Sequence, residues 1–212
     1  PWAALLMSDN TRNFYGRAAG LVEEWYMANL FGAFRAAVEE HLPVTVINDW
    51  NLNADDLAGY KVLIMPNTAC LDARQAGAVR EFVRAGGGLV ASLDTSRFNE
   101  FGDPQENFAL ADLFGVDYRG AIEAAAVSEE LDVNFAKSIG PDYWEKRKGV
   151  FEFTQNTDSF LNQGRMKAYV GANPVTFKGK ATRVVTKDAA VETLATLRVK
   201  GVAGAPEAPA VL

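Results

Sequence analysis

Apolar residues near the start of the chain alternate between short unbroken runs and helical stripes. Ala3-Ala4-Leu5-Leu6-Met7-Ser8 is a continuous apolar run ending in a polar residue, the pattern of a strand buried on both faces. From Gly16 to His41, Leu21, Trp25, Ala28, Phe31, Phe34 and Val38 recur at steps of three and four. Glu23, Glu24, Arg35, Glu39 and Glu40 are available for the wet side, so the spacing predicts a long helix with that apolar stripe on the core. Pro43 stops it, and Val44-Thr45-Val46-Ile47 supplies a β-branched second strand.

The alternation continues. Asn53 is placed to cap a short helical turn through Leu57, and Tyr60 to Met65 forms a third apolar strand closed by Pro66. Asp72 is placed to cap a helix carrying Ala73, Ala76, Val79, Phe82 and Val83, and Gly86-Gly87-Gly88 releases the chain into a fourth strand, Leu89 to Leu93. A polar loop from Asp94 to Glu106 leads to a short helix, Phe108 to Phe114, ended by Gly115. Repeated strand–helix units require a mostly parallel sheet with helices on both faces, so residues 1–120 are expected to form a doubly wound α/β core of the flavodoxin or Rossmann-like kind.

Beyond Gly120 the pattern weakens. A helix is expected near Pro141 to Lys148, and strands at Val150–Phe153, Lys167–Val170, Val175–Lys178, Thr182–Thr186 and Leu194–Val199. Residues 121–203 are therefore read as a less regular, strand-rich extension of the same domain, and residues 204–212, rich in Ala and Pro, as a linker-like tail. With Pro1 at the start and that tail, the segment reads as a piece of a longer protein.

Composition narrows the functional classes. The 212 residues are 49% hydrophobic and 23% charged, an ordinary globular mixture. A net charge of -6 opposes a phosphate backbone, which sets nucleic acid aside. No run approaches the roughly 20 apolar residues of a membrane span, and no signal segment opens the chain. A soluble segment, cytoplasmic or secreted with its parent, is expected. One cysteine (Cys70) and one histidine (His41) exclude a protein zinc cage, the acidic loop lacks calcium spacing, and no metal or cofactor is expected. Cys70 reads as a small buried filler, and His41 as a residue of the last helical turn, at the carbonyl end of the dipole.

In an open α/β sheet ligands bind beyond the carboxyl ends of the strands. The loops there give the candidate ligand or interface residues: Ser8, Asn10, Arg12 and Tyr15 after the first strand, and Asp94, Thr95, Ser96, Arg97 and Phe98 after the fourth. The first loop has hydroxyls and amides before a helix N-terminus, which superficially suits a flavin phosphate, but no Gly-x-Gly-x-x-Gly run accompanies it. A phosphoacceptor acid is missing at Met65-Pro66-Asn67. A nucleophile elbow after Leu93 would offer only Ser96, without flanking glycines or a neighbouring imidazole. Asp94, Glu100, Asp103 and Glu106 cluster in one loop, where a solvated surface is a better account than a glycosidase pair on rigid elements. Trp25, Tyr26, Trp50, Phe98, Phe101 and Trp144 exceed what one helical stripe needs and are candidates for an interface.

Three segments carry a resemblance: Tyr60-Lys-Val-Leu-Ile-Met-Pro-Asn67, Phe82-Val-Arg-Ala-Gly-Gly-Gly-Leu-Val-Ala-Ser92 and Phe108-Ala-Leu-Ala-Asp-Leu-Phe-Gly-Val116. With the opening strand and Ser8 to Gly16, including Tyr15-Gly16, they resemble the trimerisation domain of family 42 β-galactosidases, over residues 1 to about 120. The resemblance implies a fold of the class I glutamine amidotransferase-like superfamily without its catalytic cysteine. It also implies a TIM-barrel catalytic domain in the same parent chain, homo-oligomerisation and a non-catalytic supporting role. The family's catalytic carboxylates belong to that barrel, so none maps onto this sequence. Gly120 to Lys148 is longer than the family pattern. Trehalose-utilisation-type domains are similar at a coarser level. The competing function is a small-molecule or carbohydrate-binding domain, or a hydrolase of that type, working in the crevice.

Overall fold

The computed structural model describes residues 2–16, 22–123, 149–153, 158–159, 162–163, 175–177, 180–199 and 208–211. The expected helix near Pro141 to Lys148, with Trp144, and the expected strand Lys167–Val170 lie outside the described residues. The chain divides into two compact units, Pro1–Phe114 and Gly115–Leu212.

The first unit contains β1 (Ala3–Met7), α1 (Asp9–Phe14), α2 (Ala28–Glu39, entered through a π-helical turn at Glu23–Met27) and β2 (Val44–Asn48). α3 (Ala54–Leu57), β3 (Val62–Met65), α4 (Ala73–Arg84), β4 (Gly88–Ala91) and α5 (Ala111–Phe114) complete it. The four strands form one parallel sheet in the order β2-β1-β3-β4. It is the expected doubly wound arrangement. Ala4, Leu6, Leu63 and Met65 pack with Leu57 of α3 and with Ala76, Val79 and Phe82 of α4, while Leu5 packs on the other face with Tyr26, Leu30 and Cys70. The expected caps are present: Asn53 accepts the Asp56 N–H, and Asp72 and Gln75 form a reciprocal capping box.

α2 departs from its sequence pattern. Phe31, Phe34 and Val38, expected on the core, are exposed, and the helix instead buries Tyr26, Leu30 and Ala37. The cause is the π turn, where the Ala28 N–H bonds to the Glu23 carbonyl five residues back. One extra residue in a turn rotates everything after it by about 100°, so the stripe begun at Trp25 does not continue through Phe31.

The second unit is antiparallel. β5 (Val116–Glu123) pairs with β8 (Lys180–Thr186), and a separate sheet has the order β10-β9-β6-β7, from β10 (Ala208–Val211), β9 (Ala195–Val199), β6 (Gly149–Phe153) and β7 (Val175–Phe177). Ala208–Val211, which the composition reads as linker, is thus a strand paired with β9. Among the described residues no helix is long and apolar enough to cross a membrane.

Candidate functional site

β1, β2, β3 and β4 run parallel, so the loops that follow them gather at one end of the sheet, where a crevice would lie. The structure brings the two candidate groups together there. Ser8, Tyr15, Asp94, Thr95 and Ser96 are buried, Asn10, Arg97 and Phe98 are half-buried, and Arg12 is exposed beside Asp9 at 2.9 Å.

A chain of hydrogen bonds ties three strand ends. The Cys70 N–H donates to Thr11 Oγ1 at 3.1 Å, the Thr11 hydroxyl to Ser8 Oγ at 2.9 Å, and the Ser8 hydroxyl to Asp49 Oδ2 at 2.8 Å. Ser8 Oγ also accepts the Thr11 N–H as the cap of α1, and Asp49 Oδ2 also accepts the Asn10 N–H at 3.2 Å. The Ser8 N–H is taken by the Tyr26 hydroxyl at 2.5 Å. Burial pushes the Tyr26 phenol up to about 12, and burial likewise pushes the Cys70 thiol up to about 12, where it is a poor nucleophile at neutral pH.

The second half of the site is closed by Tyr15. Its hydroxyl donates to Asp94 Oδ2 at 2.8 Å, and its ring packs against Trp25 and Phe98, with centroids 5.7 and 5.2 Å away. Burial, reinforced by the Asp94 carboxylate, raises the Tyr15 phenol far above its ordinary value. Asn67 receives the Asp94 N–H at 3.1 Å and donates to the Trp25 carbonyl. Thr95 Oγ1 bonds the Met65 and Ser92 carbonyls, at 3.0 and 2.7 Å.

Ser96 does adopt the left-handed backbone of an elbow, with φ 64°. Its surroundings differ from those of a nucleophile. Its N–H bonds to the Thr68 carbonyl at 2.9 Å, its carbonyl receives the Ala109 N–H at 2.8 Å, and its hydroxyl oxygen accepts the Leu110 N–H at 3.2 Å. The histidine such a serine would need is at the opposite end of the sheet, because His41 ends α2 just before β2 starts. Among the described residues no cluster of three His, Cys, Asp or Glu side chains could hold a metal. The acidic loop is divided: Asp94 is buried beside Tyr15, while Asp103 and Glu106 are exposed. Phe101 is exposed and edges against Phe14, an approach that needs Gly102, since a Cβ there would lie 2.8 Å from Phe14 Cβ.

Sequence reasoning missed Thr11, Asp49, Asn67 and Thr68, all buried polar residues of this network. Asp49 had a usable signal, since it follows β2 at the carboxyl end of the sheet. Asn67 and Thr68 follow β3 at the same end, and Thr11 lies three residues from Ser8 in α1, just after β1, but that they bond inward rests on partners remote in sequence.

The β-galactosidase trimerisation domain family model matches residues 3–182. Among solved structures, a catalytic mutant of Gan42B, a GH42 β-galactosidase from G. stearothermophilus, is 18% identical with a TM-score of 0.64, covering 97% of this chain and 25% of that one. The cold-adapted β-galactosidase from Rahnella sp. R3 is 16% identical with a TM-score of 0.65, covering 98% and 26%. A ThuA-like protein from Bacteroides uniformis is 14% identical with a TM-score of 0.60, covering 98% and 75%. The chain thus spans about a quarter of the length of these two β-galactosidases. No curated protein matches it.

Proposed function

Because this chain belongs to the β-galactosidase trimerisation domain family, we propose that it serves a larger glycoside hydrolase as the non-catalytic module that joins subunits, beside a TIM-barrel catalytic domain in the same parent chain. The observation that carries this reading is the filled crevice. At the end of the sheet where a related enzyme would work, Tyr15 is bonded to Asp94, and Ser8, Thr11, Asp49 and Cys70 are bonded in series. Those bonds hold loops, and the only imidazole in the sequence is at the other end of the sheet.

The test has two parts. Light scattering on the purified chain at about 100 µM should give three times the monomer mass, and β-galactoside, ester and amide substrates should turn over no faster than in buffer. A monomer at that concentration, or turnover lost in Ser96→Ala, would overturn the proposal.

A further inference from the structure

Resting on that trimerisation reading, we infer that the ring closes by seating the exposed ridge of α2 from one copy in the groove between α2 and the β3–β4 edge of the next copy. The starting point is a row of residues across the sheet. Register places Val46 beside Leu5, Leu5 beside Ile64 and Ile64 beside Val90, and paired residues of a parallel sheet point to the same face. Leu5 in the middle is fully buried, whereas the two ends of the row, Val46 and Val90, are 45% and 54% exposed. On this face α2 packs over β1 and the start of β2, where Val44 joins the cluster of Leu5 and Leu30, and leaves Val46 and Val90 uncovered.

The margins differ in shape. Toward β4 lies a groove of about 320 Å³ lined by Ala28, Gly32 and Ala33 of α2 with Ile64, Val90 and Ala91 of the sheet. Toward β2, on the opposite flank of α2, stand Phe31, Phe34 and Val38, spaced three and four apart and 60%, 42% and 53% exposed. One flank is therefore a hole made of small side chains and the other a ridge of large ones.

A cyclic trimer requires two different patches on each copy, because a head-to-tail contact repeats around the ring, whereas a self-matching patch gives a dimer. The occupant of the groove is identified as a second copy by three features. The family is one of trimerisation domains. Every copy carries a net charge of -6, and the groove lining has no ionisable side chain, so copies meet there with least repulsion. Among the described residues β4 is an end strand, and its residues Gly88, Leu89, Val90 and Ala91 include none of the lysines, prolines or bulges that protect free edges.

The experiment reads molar mass by light scattering on the chain, on a ridge variant (Phe31→Lys with Phe34→Lys), on a groove variant (Val90→Lys), and on Glu81→Lys as an exposed control on α4, against the opposite face of the sheet. The wild type and the control should be trimers, and each patch variant should show a threefold fall in mass to monomer. An equimolar mixture of the two patch variants should form a one-to-one dimer and go no further, since one partner retains only its groove and the other only its ridge. Should Val90→Lys fail to fold, Val90→Thr keeps the branched shape and should weaken trimer formation at least tenfold in concentration. Patch variants that remain trimeric, or a mixture that stays monomeric, overturn the assignment of this surface while leaving trimerisation standing; a monomeric wild type overturns both.

Discussion

The Tyr15 hydroxyl donates to Asp94 across 79 positions of sequence, joining the end of α1 to the loop after β4 at 2.8 Å. Both residues are buried, and the Tyr15 ring is wedged between Trp25 and Phe98. The two segments follow β1 and β4 at the carboxyl end of the parallel sheet, and the bond fastens them to each other.

Tyr15→Phe separates the bond from the ring. The aromatic packing survives, while buried Asp94 loses one donor, so the change should destabilise the chain by about 1–3 kcal/mol. Tyr15→Ala, which also empties the space between Trp25 and Phe98, should cost about 3–5 kcal/mol. Urea midpoints of the three proteins check the order, and equal midpoints for Tyr15→Phe and wild type would show that the bond contributes nothing.

Alkaline pH should loosen the same end of the sheet. Tyr26 and Cys70 are each pushed up to about 12 by burial, and Tyr15 higher still, whereas in the unfolded chain a thiol ionises near about 8.5 and a phenol near about 10. The folded chain therefore holds protons that the unfolded chain releases. Stability from these groups is whole below about pH 8.5 and declines as pH rises from there through about 12. Urea unfolding at pH 7, 9 and 10.5 should show the fall, and Cys70→Ala should make it shallower between pH 9 and 10.5.

The sequence carried what is local and hid what is remote. β1 is legible because a strand buried on two faces must be apolar throughout, and the Asp72 cap because its partner lies within one turn. The buried face of α2 was misread because a π turn leaves no mark on residue spacing, yet it moves burial from Phe31 and Phe34 to Leu30 and Ala37. β10 was hidden because Ala208 to Val211 becomes a strand only through its distant partner β9. The loop rule places Ser8, Tyr15, Asp94 and Ser96 together at the carboxyl end of the sheet by position. That they bond inward depends on Asp49, 41 residues from Ser8, and on Asn67, 27 residues from Asp94, pairings that only the folded sheet brings together.

Ser96→Ala tests the elbow directly. The hydroxyl oxygen accepts the buried Leu110 N–H, so its loss should destabilise the chain by about 1 kcal/mol. Hydrolysis of galactosides and activated esters should be indistinguishable from buffer before and after the change. A drop in urea midpoint with no change in turnover is the expected pair of results.

His41 offers a change in the stabilising direction. α2 ends with the Leu42 N–H bonded to the Ala37 carbonyl at 2.8 Å and the His41 N–H to the Val38 carbonyl at 3.1 Å, which places His41 where helices commonly adopt a left-handed residue. Its φ is 56°, a conformation that a side chain with a Cβ adopts at some strain and glycine adopts freely. The imidazole is exposed and lies at the end of the sheet away from the filled crevice, so little packing opposes its removal. Relief of strain should outweigh the extra freedom that glycine gives the unfolded chain, and His41→Gly should raise stability by about 0.5–1 kcal/mol. A urea midpoint that falls instead would mean that the His41 side chain, favourably placed at the carbonyl end of α2, contributes more than its backbone costs.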